Sequence, residues 1–183
     1  MSVLIRPARA EDWPAVGGLC ADTGAQGEPI EGGHAEREEF AKRWVGPYKV
    51  LCPEWTFVAE VDGKVVGYLT ACPDTLVFER RVREELQPTP DSRGFFGEKF
   101  LNDFWTANPG HLHMNVSKAH RSAGLGRKLL DLCFSEMKRV GLKSAHVFCG
   151  NRAKGYWEKA GFTLERSCEP RPGVFIHALV HPL

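Results

Sequence analysis

Hydrophobic and polar positions in the first half of the chain predict a strand, two helices and a hairpin. Residues 3–9 alternate as a short strand, and apolar residues recur at helical spacing over 10–20 and again over 34–45. Two runs rich in β-branched and aromatic residues then flank the Asp-Gly pair at 62–63. This dipeptide suits a two-residue turn, so residues 55–72 are predicted to form an antiparallel hairpin.

Strand and helix patterns alternate in the second half. The predicted elements, in chain order, are a strand at 111–117, an amphipathic helix at about 124–140 that ends at Gly141, a strand at 144–149, a short helix at 151–160, and strands at 162–168 and 174–180. Alternation of this kind implies parallel pairing, whereas the first-half hairpin is antiparallel. The sequence therefore predicts an α/β fold with a mixed sheet.

Residues 73–109 lack strand alternation. They contain a charged piece at 79–86, a Pro-rich joint at 88–90 and the aromatic piece "GFFGEKFLNDFW". Long segments of this kind are often functional, so we interpret 73–109 as an inserted, lid-like segment within one domain that spans 1–183. Its aromatic residues have two interpretations, as core residues or as a wall of the substrate site.

The amino-acid composition of the chain limits the kinds of partner that it is expected to bind. The chain has a formal net charge of +1 and is 43% hydrophobic and 26% charged, which gives no argument for nucleic acid or an anionic membrane as partner. Its six cysteines are widely spread and form no CxxC pair, which argues against a zinc knuckle or a disulfide framework. No signal peptide or membrane span is evident, so we expect free thiols and a cytoplasmic location.

The stretch "HLHMNVSKAHRSAGLGRKLL", residues 111–130, joins the predicted strand to the long helix through a glycine turn. A helix start offers unpaired backbone N–H groups and the positive end of its dipole, and glycines let these groups approach a phosphate. Three cations surround the turn: Arg121, Arg127 and Lys128. The turn is therefore either a pyrophosphate site or an ordinary helix start with a basic surface, since it matches neither a dinucleotide fingerprint nor a P-loop.

Three segments together resemble the GCN5-related N-acetyltransferase (GNAT) superfamily. "RSAGLG" at 121–126 is similar to the family's acetyl-coenzyme A pyrophosphate motif, and "NRAKGYWEKAGF" at 151–162 is similar to its second signature. "IRPARAEDWPAV" at 5–16 is similar to its first strand and helix. The resemblance implies a mostly antiparallel central sheet with one parallel, splayed strand pair and flanking helices, and acetyl-CoA as cofactor.

The same resemblance implies which residues bind acetyl-CoA. The backbone of the turn holds the pyrophosphate, the backbone of the preceding strand pairs with the pantetheine arm and polarises the acetyl carbonyl, and an asparagine contacts the arm or the thioester. The expected cofactor-binding residues are Met114, Asn115, Val116, Arg121, Ser122, Ala123, Gly124, Leu125, Gly126, Arg127, Asn151 and Trp157.

The sequence departs from the family where many members carry a tyrosine that protonates the departing thiolate. Trp157 occupies that position, with Tyr156 just before it, and an indole N–H is not a usable acid. Three alternatives remain open. Tyr156 is the acid, or both residues only pack at the helix end, or solvent reprotonates the sulfur, since a thiol of pKa about 8.5 leaves readily near neutrality.

Two histidines on the strand before the turn are candidates for the general base. Imidazole has the pKa that this role needs, and the family often places a base on this strand. His113 is the first candidate, because it lies nearer the expected thioester, and His111 is the second. Alternatively, either histidine only forms hydrogen bonds with its neighbours and has no catalytic role. A His-x-His metal site lacks an evident third ligand, so no metal is expected.

The predicted function is acetyl transfer from acetyl-CoA to an amine of a small molecule or peptide, by direct attack in a ternary complex, with a homodimer left open. The alternative is a non-catalytic acetyl-CoA-binding module, because "HLHMNV" is loosely similar to the acetyltransferase-like domain of O-GlcNAc hydrolases and its bacterial stand-alone relatives. An acidic stretch either attracts a cationic acceptor or forms a solvated helix face: Glu28, Glu31, Glu36, Glu38 and Glu39.

Overall fold

The computed structural model describes residues 2–25, 27–86 and 95–183. Its strands are β1 (Val3–Pro7), β2 (Thr56–Val61), β3 (Lys64–Cys72), β4 (Gly110–Val116), β5 (Ser144–Gly150), β6 (Thr163–Arg171) and β7 (Val174–Pro182). Its α-helices are α1 (Trp13–Thr23), α2 (His34–Trp44), α3 (Gly46–Leu51), α4 (Thr75–Glu85), α5 (Glu98–Ala107), α6 (Leu125–Arg139) and α7 (Asn151–Lys159).

The described residues form a seven-stranded sheet in the order β1-β2-β3-β4-β5-β7-β6. The chain divides into two compact units, which we call the first unit (Met1–Cys72 and His113–Glu136) and the second unit (Pro73–Leu112 and Met137–Leu183). The predicted single domain over 1–183 is not tested by this division and stays a prediction.

The core of the first unit lies between α1 and the β2–β3 hairpin. Val16, Leu19 and Cys20 of α1 form one buried cluster with Val58 of β2 and Tyr68 of β3. The three helical residues follow the i, i+3, i+4 spacing that places side chains on one face. The predicted amphipathic helix therefore packs as its pattern indicates.

The β2–β3 hairpin turns at Asp62 and Gly63, as predicted. Both residues have positive φ, 48° and 80°. Two positive φ angles define the type I′ turn, whose twist matches that of the flanking strands. β1 pairs antiparallel with β2 on the other side, so this part of the sheet is antiparallel.

Arg6 ties β1 to the start of α1. Its guanidinium donates to both carboxylate oxygens of Asp12, at 2.6 and 2.9 Å, and to Glu60 at 2.8 Å. The hydrogen bonds from Arg6 lower the pKa of Asp12 below its usual value, against the opposing effect of burial. The carboxylate of Asp12 also accepts from the backbone N–H of Arg9, so one ionised group organises the entry into the helix.

The second unit contains the parallel pair of the sheet. β4 pairs parallel with β5 at Gly110–Ala145 and His111–His146. β7 pairs antiparallel with both β5 and β6. A Cβ at Gly110 would lie 3.1 Å from the Ser144 carbonyl oxygen, so glycine permits the close approach of these two strands. The predicted mixed, mostly antiparallel sheet with one parallel pair is confirmed.

Residues 73–109 supply the second unit with two helices, α4 and α5. Phe96, Leu101, Phe104 and Trp105 form a buried cluster with Ala178 of β7. Phe96, Phe104 and Trp105 are therefore core residues, the first of the two interpretations, whereas Phe95 is 61% exposed. The predicted Pro-rich joint at 88–90 lies outside the described residues, and the lid role of the segment stays a prediction.

Most predicted element bounds agree with the structure to within a few residues. The long helix ends as expected, because Gly141 adopts a φ of 88° just after it. α3 was not predicted, although Pro47 stands in its first turn, where proline favours a helix start.

Candidate functional site

His113 is held on β4 by two side chains of the first unit. The Tyr68 hydroxyl lies 3.0 Å from His113 Nε2, and Asn115 Nδ2 lies 3.0 Å from the same nitrogen and 2.8 Å from the hydroxyl. Tyr68 stands on β3 and is fully buried. The three polar groups therefore form a closed hydrogen-bonded cluster, which we call the His113 cluster.

The donor and acceptor properties of the three side chains fix the directions of the hydrogen bonds in the His113 cluster. The Asn115 amide nitrogen can only donate, so the Tyr68 oxygen accepts from it. With donors facing Nε2, neutral His113 carries its proton on Nδ1 and presents Nε2 as its basic nitrogen. Burial raises the pKa of Tyr68 well above its usual value, so the phenol stays protonated at neutral pH.

The imidazole of His113 also stacks on an indole. The Trp44 ring, at the end of α2, lies 6.2 Å from the His113 ring between centroids, with an interplanar angle of 19°. Trp44 is 37% exposed, and His113 is half-buried. The two rings therefore lie nearly parallel on the exposed side of the His113 cluster.

The glycine turn between β4 and α6 has the open backbone that an anion site needs. Ser122 and Gly124 both adopt left-handed φ angles, 67° and 73°. A Cβ built at Gly124 would meet nothing within 4 Å. The Lys128 N–H donates to the Gly124 carbonyl as α6 begins, so the N–H groups just before it belong to the unpaired first turn of a helix.

Arg121 holds the glycine turn to the loop after α1. Its Nη2 donates to the Gly27 carbonyl at 2.6 Å, and its Nε donates to the Val116 carbonyl at 3.3 Å. Lys118 forms an ion pair with Glu28 of the same loop, at 3.0 Å. Arg121 is one of the cations predicted to add charge at the phosphate site. Its hydrogen bonds hold the glycine turn to this loop.

The remaining predicted residues of this stretch lie on β4, in the turn or at the start of α6. Met114 and Val116 are half-buried on β4, Leu125 is buried under the turn, and Arg127 pairs with Asp131 at 2.8 Å on the surface of α6. The other two lie in exposed or half-buried positions, Ala123 in the turn and Gly126 in the first turn of α6. The first unit therefore brings together nearly all predicted cofactor residues.

His111 lies in the second unit, buried and tied to α4. The Thr75 hydroxyl donates to the Pro109 carbonyl, and its oxygen lies 2.8 Å from His111 Nδ1. The ring also packs edge-on against Phe78 at 5.0 Å. These are contacts of a structural histidine, and the catalytic role of His111 stays a prediction.

The second signature motif forms α7 of the second unit. Tyr156 is 43% exposed and contacts the ring of Trp157, which is buried against Phe162. Trp157 therefore packs into the core, while the Tyr156 hydroxyl belongs to an exposed residue. Asn151 opens the helix, and its Oδ1 lies 2.7 Å from His177 Nε2.

Sequence reasoning missed three of these residues. Tyr68 lies in a largely apolar strand, Trp44 belongs to the helix predicted at 34–45, and His177 lies in the last predicted strand. The continuous apolar run around Tyr68 indicates that it is buried, but only the pairing of β3 with β4 places it beside His113.

Metal ligands, membrane-spanning helices and cysteines are three further features of the described residues. They contain no group of three His, Cys, Asp or Glu arranged to hold a metal ion. Within the same ranges, no helix combines the length and the apolar character needed to cross a membrane. All six cysteines are free thiols, and burial raises the pKa of Cys149 to about 12.

Comparisons with known proteins bear on the fold and the family of the chain. A family model described as an acetyltransferase (GNAT) domain matches residues 53–164, more than half of the chain. The crystal structure of SsHAT is similar with a TM-score of 0.82 and 22% identity over 100% of this chain and 98% of that one. An agmatine N-acetyltransferase has a TM-score of 0.62 and 18% identity over 100% of both chains.

The structure of yncA from Salmonella typhimurium, solved with its cofactor acetyl-CoA, has a TM-score of 0.62 and 17% identity over 100% of this chain and 95% of that one. At these identities, the structural likenesses show the fold. The family model, which matches from the β2–β3 hairpin to the end of the second signature motif, shows the family. This chain belongs to the GNAT family of acetyltransferase domains.

Proposed function

We propose that the protein is an acetyl-CoA-dependent N-acetyltransferase that transfers an acetyl group to an amine of a small molecule or peptide by direct attack in a ternary complex. One arrangement carries the proposal. In the first unit, a hydrogen-bonded histidine on β4 precedes an open, left-handed glycine turn at the start of α6. Family membership and the named N-acetyltransferase among the similar folds support it.

The glycine turn fits the pyrophosphate of acetyl-CoA. Open space at Gly124 admits a phosphate where a side chain would stand, and the start of α6 supplies N–H donors and the positive end of a dipole. We assign these donors to the backbone from Ser122 to Arg127, with Lys128 adding charge. When bound, acetyl-CoA supplies an acetyl group activated as a thioester.

His113 is the proposed general base. Only about one in a thousand lysine side chains is neutral at pH 7, so deprotonating an attacking amine of this type costs about 4–5 kcal/mol. In the proposed step, the Asn115 amide N–H turns away from His113 Nε2, and Nε2 accepts the proton that the amine nitrogen loses on bonding to the acetyl carbon. The carbon–sulfur bond breaks, and the thiolate leaves with the electron pair.

Tyr68 keeps His113 oriented through this step. A hydroxyl both donates and accepts, so the 3.0 Å contact with Nε2 persists whether that nitrogen is bare or protonated. The Trp44 ring, nearly parallel to the imidazole, limits the rotation of His113 from the other side. Tyr156 stays the candidate for returning a proton to the sulfur, and the high pKa of Cys149 disfavours an acyl-cysteine route.

The test follows thiol release from acetyl-CoA with three acceptors: a lysine peptide, a peptide with a free α-amine and a polyamine. Release that requires one of these amines is expected, and His113→Gln should lower kcat by about 100-fold with a lysine-type amine. His181→Gln is the matched control and should leave kcat unchanged. Binding of acetyl-CoA without turnover on any acceptor would identify a binding module instead, and absence of binding would contradict the proposal entirely.

A further inference from the structure

A buried histidine of the second unit links the first residue of α7 to β6. His177 Nε2 lies 2.7 Å from Asn151 Oδ1, and His177 Nδ1 lies 2.7 Å from the Ser167 hydroxyl. His177 is 5% exposed, whereas Ser167 and Asn151 lie at exposed positions. The three side chains form a chain of two short hydrogen bonds.

The donor and acceptor properties of Asn151, His177 and Ser167 fix the direction of both hydrogen bonds. The carbonyl oxygen of Asn151 can only accept, so His177 donates through Nε2–H. Burial lowers the pKa of His177, and the positive charge of Lys154 lowers it further, while Glu158 opposes them. The ring is therefore neutral near pH 7, and its bare Nδ1 accepts from the Ser167 hydroxyl.

These two hydrogen bonds fix the direction in which the Asn151 amide nitrogen points. Oδ1 and Nδ2 lie on opposite sides of the amide carbon, so holding Oδ1 on His177 turns Nδ2 away from it. An exposed side-chain amide otherwise rotates freely, and its ordering lowers affinity each time a ligand binds. A pre-oriented amide avoids that loss.

We infer that His177 and Ser167 are positioning residues that hold Asn151 so that its amide N–H groups donate to a carbonyl oxygen of the pantetheine arm of acetyl-CoA. This inference rests on the proposed function. His177 acts through Asn151 and takes no part in proton transfer.

Calorimetric titration with coenzyme A and with adenosine 3′,5′-bisphosphate, which lacks the pantetheine arm, tests the inference. His177→Phe should weaken coenzyme A binding about tenfold, because losing one oriented hydrogen bond costs roughly 1–1.5 kcal/mol, and should leave the bisphosphate affinity unchanged. His181→Phe makes the same change four residues along β7 and should leave both affinities unchanged.

Rescue separates positioning from packing. A glutamine side chain offers an N–H donor and an oxygen acceptor at a spacing close to that of the two imidazole nitrogens. His177→Gln should therefore bind coenzyme A within about threefold of wild type, and Ser167→Ala should weaken binding by about threefold, since it removes a single neutral hydrogen bond. Asn151→Ala should weaken binding about tenfold, and adding His177→Phe to it should cause no further loss.

The outcomes are distinct. A wild-type protein that binds no coenzyme A overturns the proposed function and this inference with it. If wild type binds, a His177→Phe variant of equal affinity overturns the positioning role alone. So does a His177→Gln variant as weak as His177→Phe, or a further loss in the Asn151→Ala background. Should His177→Phe fail to fold, Ser167→Ala decides, and an affinity equal to that of wild type in this variant overturns the positioning role.

Discussion

The hydroxyl of Tyr68 lies 3.0 Å from Nε2 of His113, and the two residues are 45 positions apart in the chain. A buried phenol that stays protonated can hold an imidazole in one orientation without competing for its proton. The rotamer of the proposed base is therefore set by the neighbouring strand. This relationship leads directly to a test of the catalytic assignment.

Tyr68→Phe removes the hydroxyl and keeps the ring that packs in the core of the first unit. We expect kcat to fall about tenfold with little change in the KM for either substrate, because one oriented hydrogen bond to the base is lost. Steady-state kinetics with a lysine-type amine measures this split. Tyr48→Phe, which alters another buried tyrosine of the first unit, is the control, and an equal loss of kcat there would contradict a specific role for Tyr68.

Gly124→Ala tests the pyrophosphate site. A left-handed residue with a side chain costs about 1–2 kcal/mol, so the variant should unfold at lower denaturant concentration and also bind acetyl-CoA more weakly. Gly63→Ala is closely matched, since Gly63 has a φ of 80° and equally open space. It should lose similar stability and keep its affinity for acetyl-CoA. Equal affinities in the two variants would argue against the turn as the phosphate site.

Asp12→Asn tests the ion cluster at the start of α1. Breaking the largely buried pair with Arg6 should lower the free energy of unfolding by about 3 kcal/mol at pH 7. The folded-state pKa of Asp12 is lowered, so its contribution is complete above the unfolded value near 4 and is lost as the pH falls through the folded value.

The stability difference between wild type and Asp12→Asn should therefore shrink as the pH is lowered from about 5 towards 2, as measured by urea unfolding. Asp103→Asn disrupts an ion pair whose side chains are 92% and 70% exposed. That variant should leave the free energy of unfolding nearly unchanged, because water screens an exposed pair. A difference for Asp12→Asn that persists undiminished at pH 2 would contradict the electrostatic origin.

Arg121→Met tests whether this arginine tethers the loop after α1. Losing the 2.6 Å hydrogen bond to Gly27 should speed amide hydrogen exchange at Gly27 and Ile30 about tenfold, because a charged donor is removed. Arg127→Met, on the exposed surface of α6, should leave these rates unchanged. Unaltered exchange in Arg121→Met would mean that the loop is held by its own backbone hydrogen bonds.

Local sequence features determined much of this protein. The Asp62-Gly63 turn, the amphipathic repeat of α6 and the glycines at 124 and 141 are visible because turn chemistry, helical periodicity and positive φ depend on adjacent residues. The order of motifs sufficed to indicate the family. Most predicted elements whose determinants are short in range agree with the observed ones. The exception is α3, which was not predicted despite its proline.

Only the tertiary structure decided which side chains meet. The pairing of β3 with β4 brings Tyr68 to His113, and the register of β6 and β7 brings Ser167 to His177. Arg121 and Gly27, which are 94 residues apart in the chain, also form a hydrogen bond. Both histidines of β4 are candidates for the base in sequence. His111 is buried on Thr75 and His113 joins Tyr68, because these partners come from distant segments whose register no local pattern encodes.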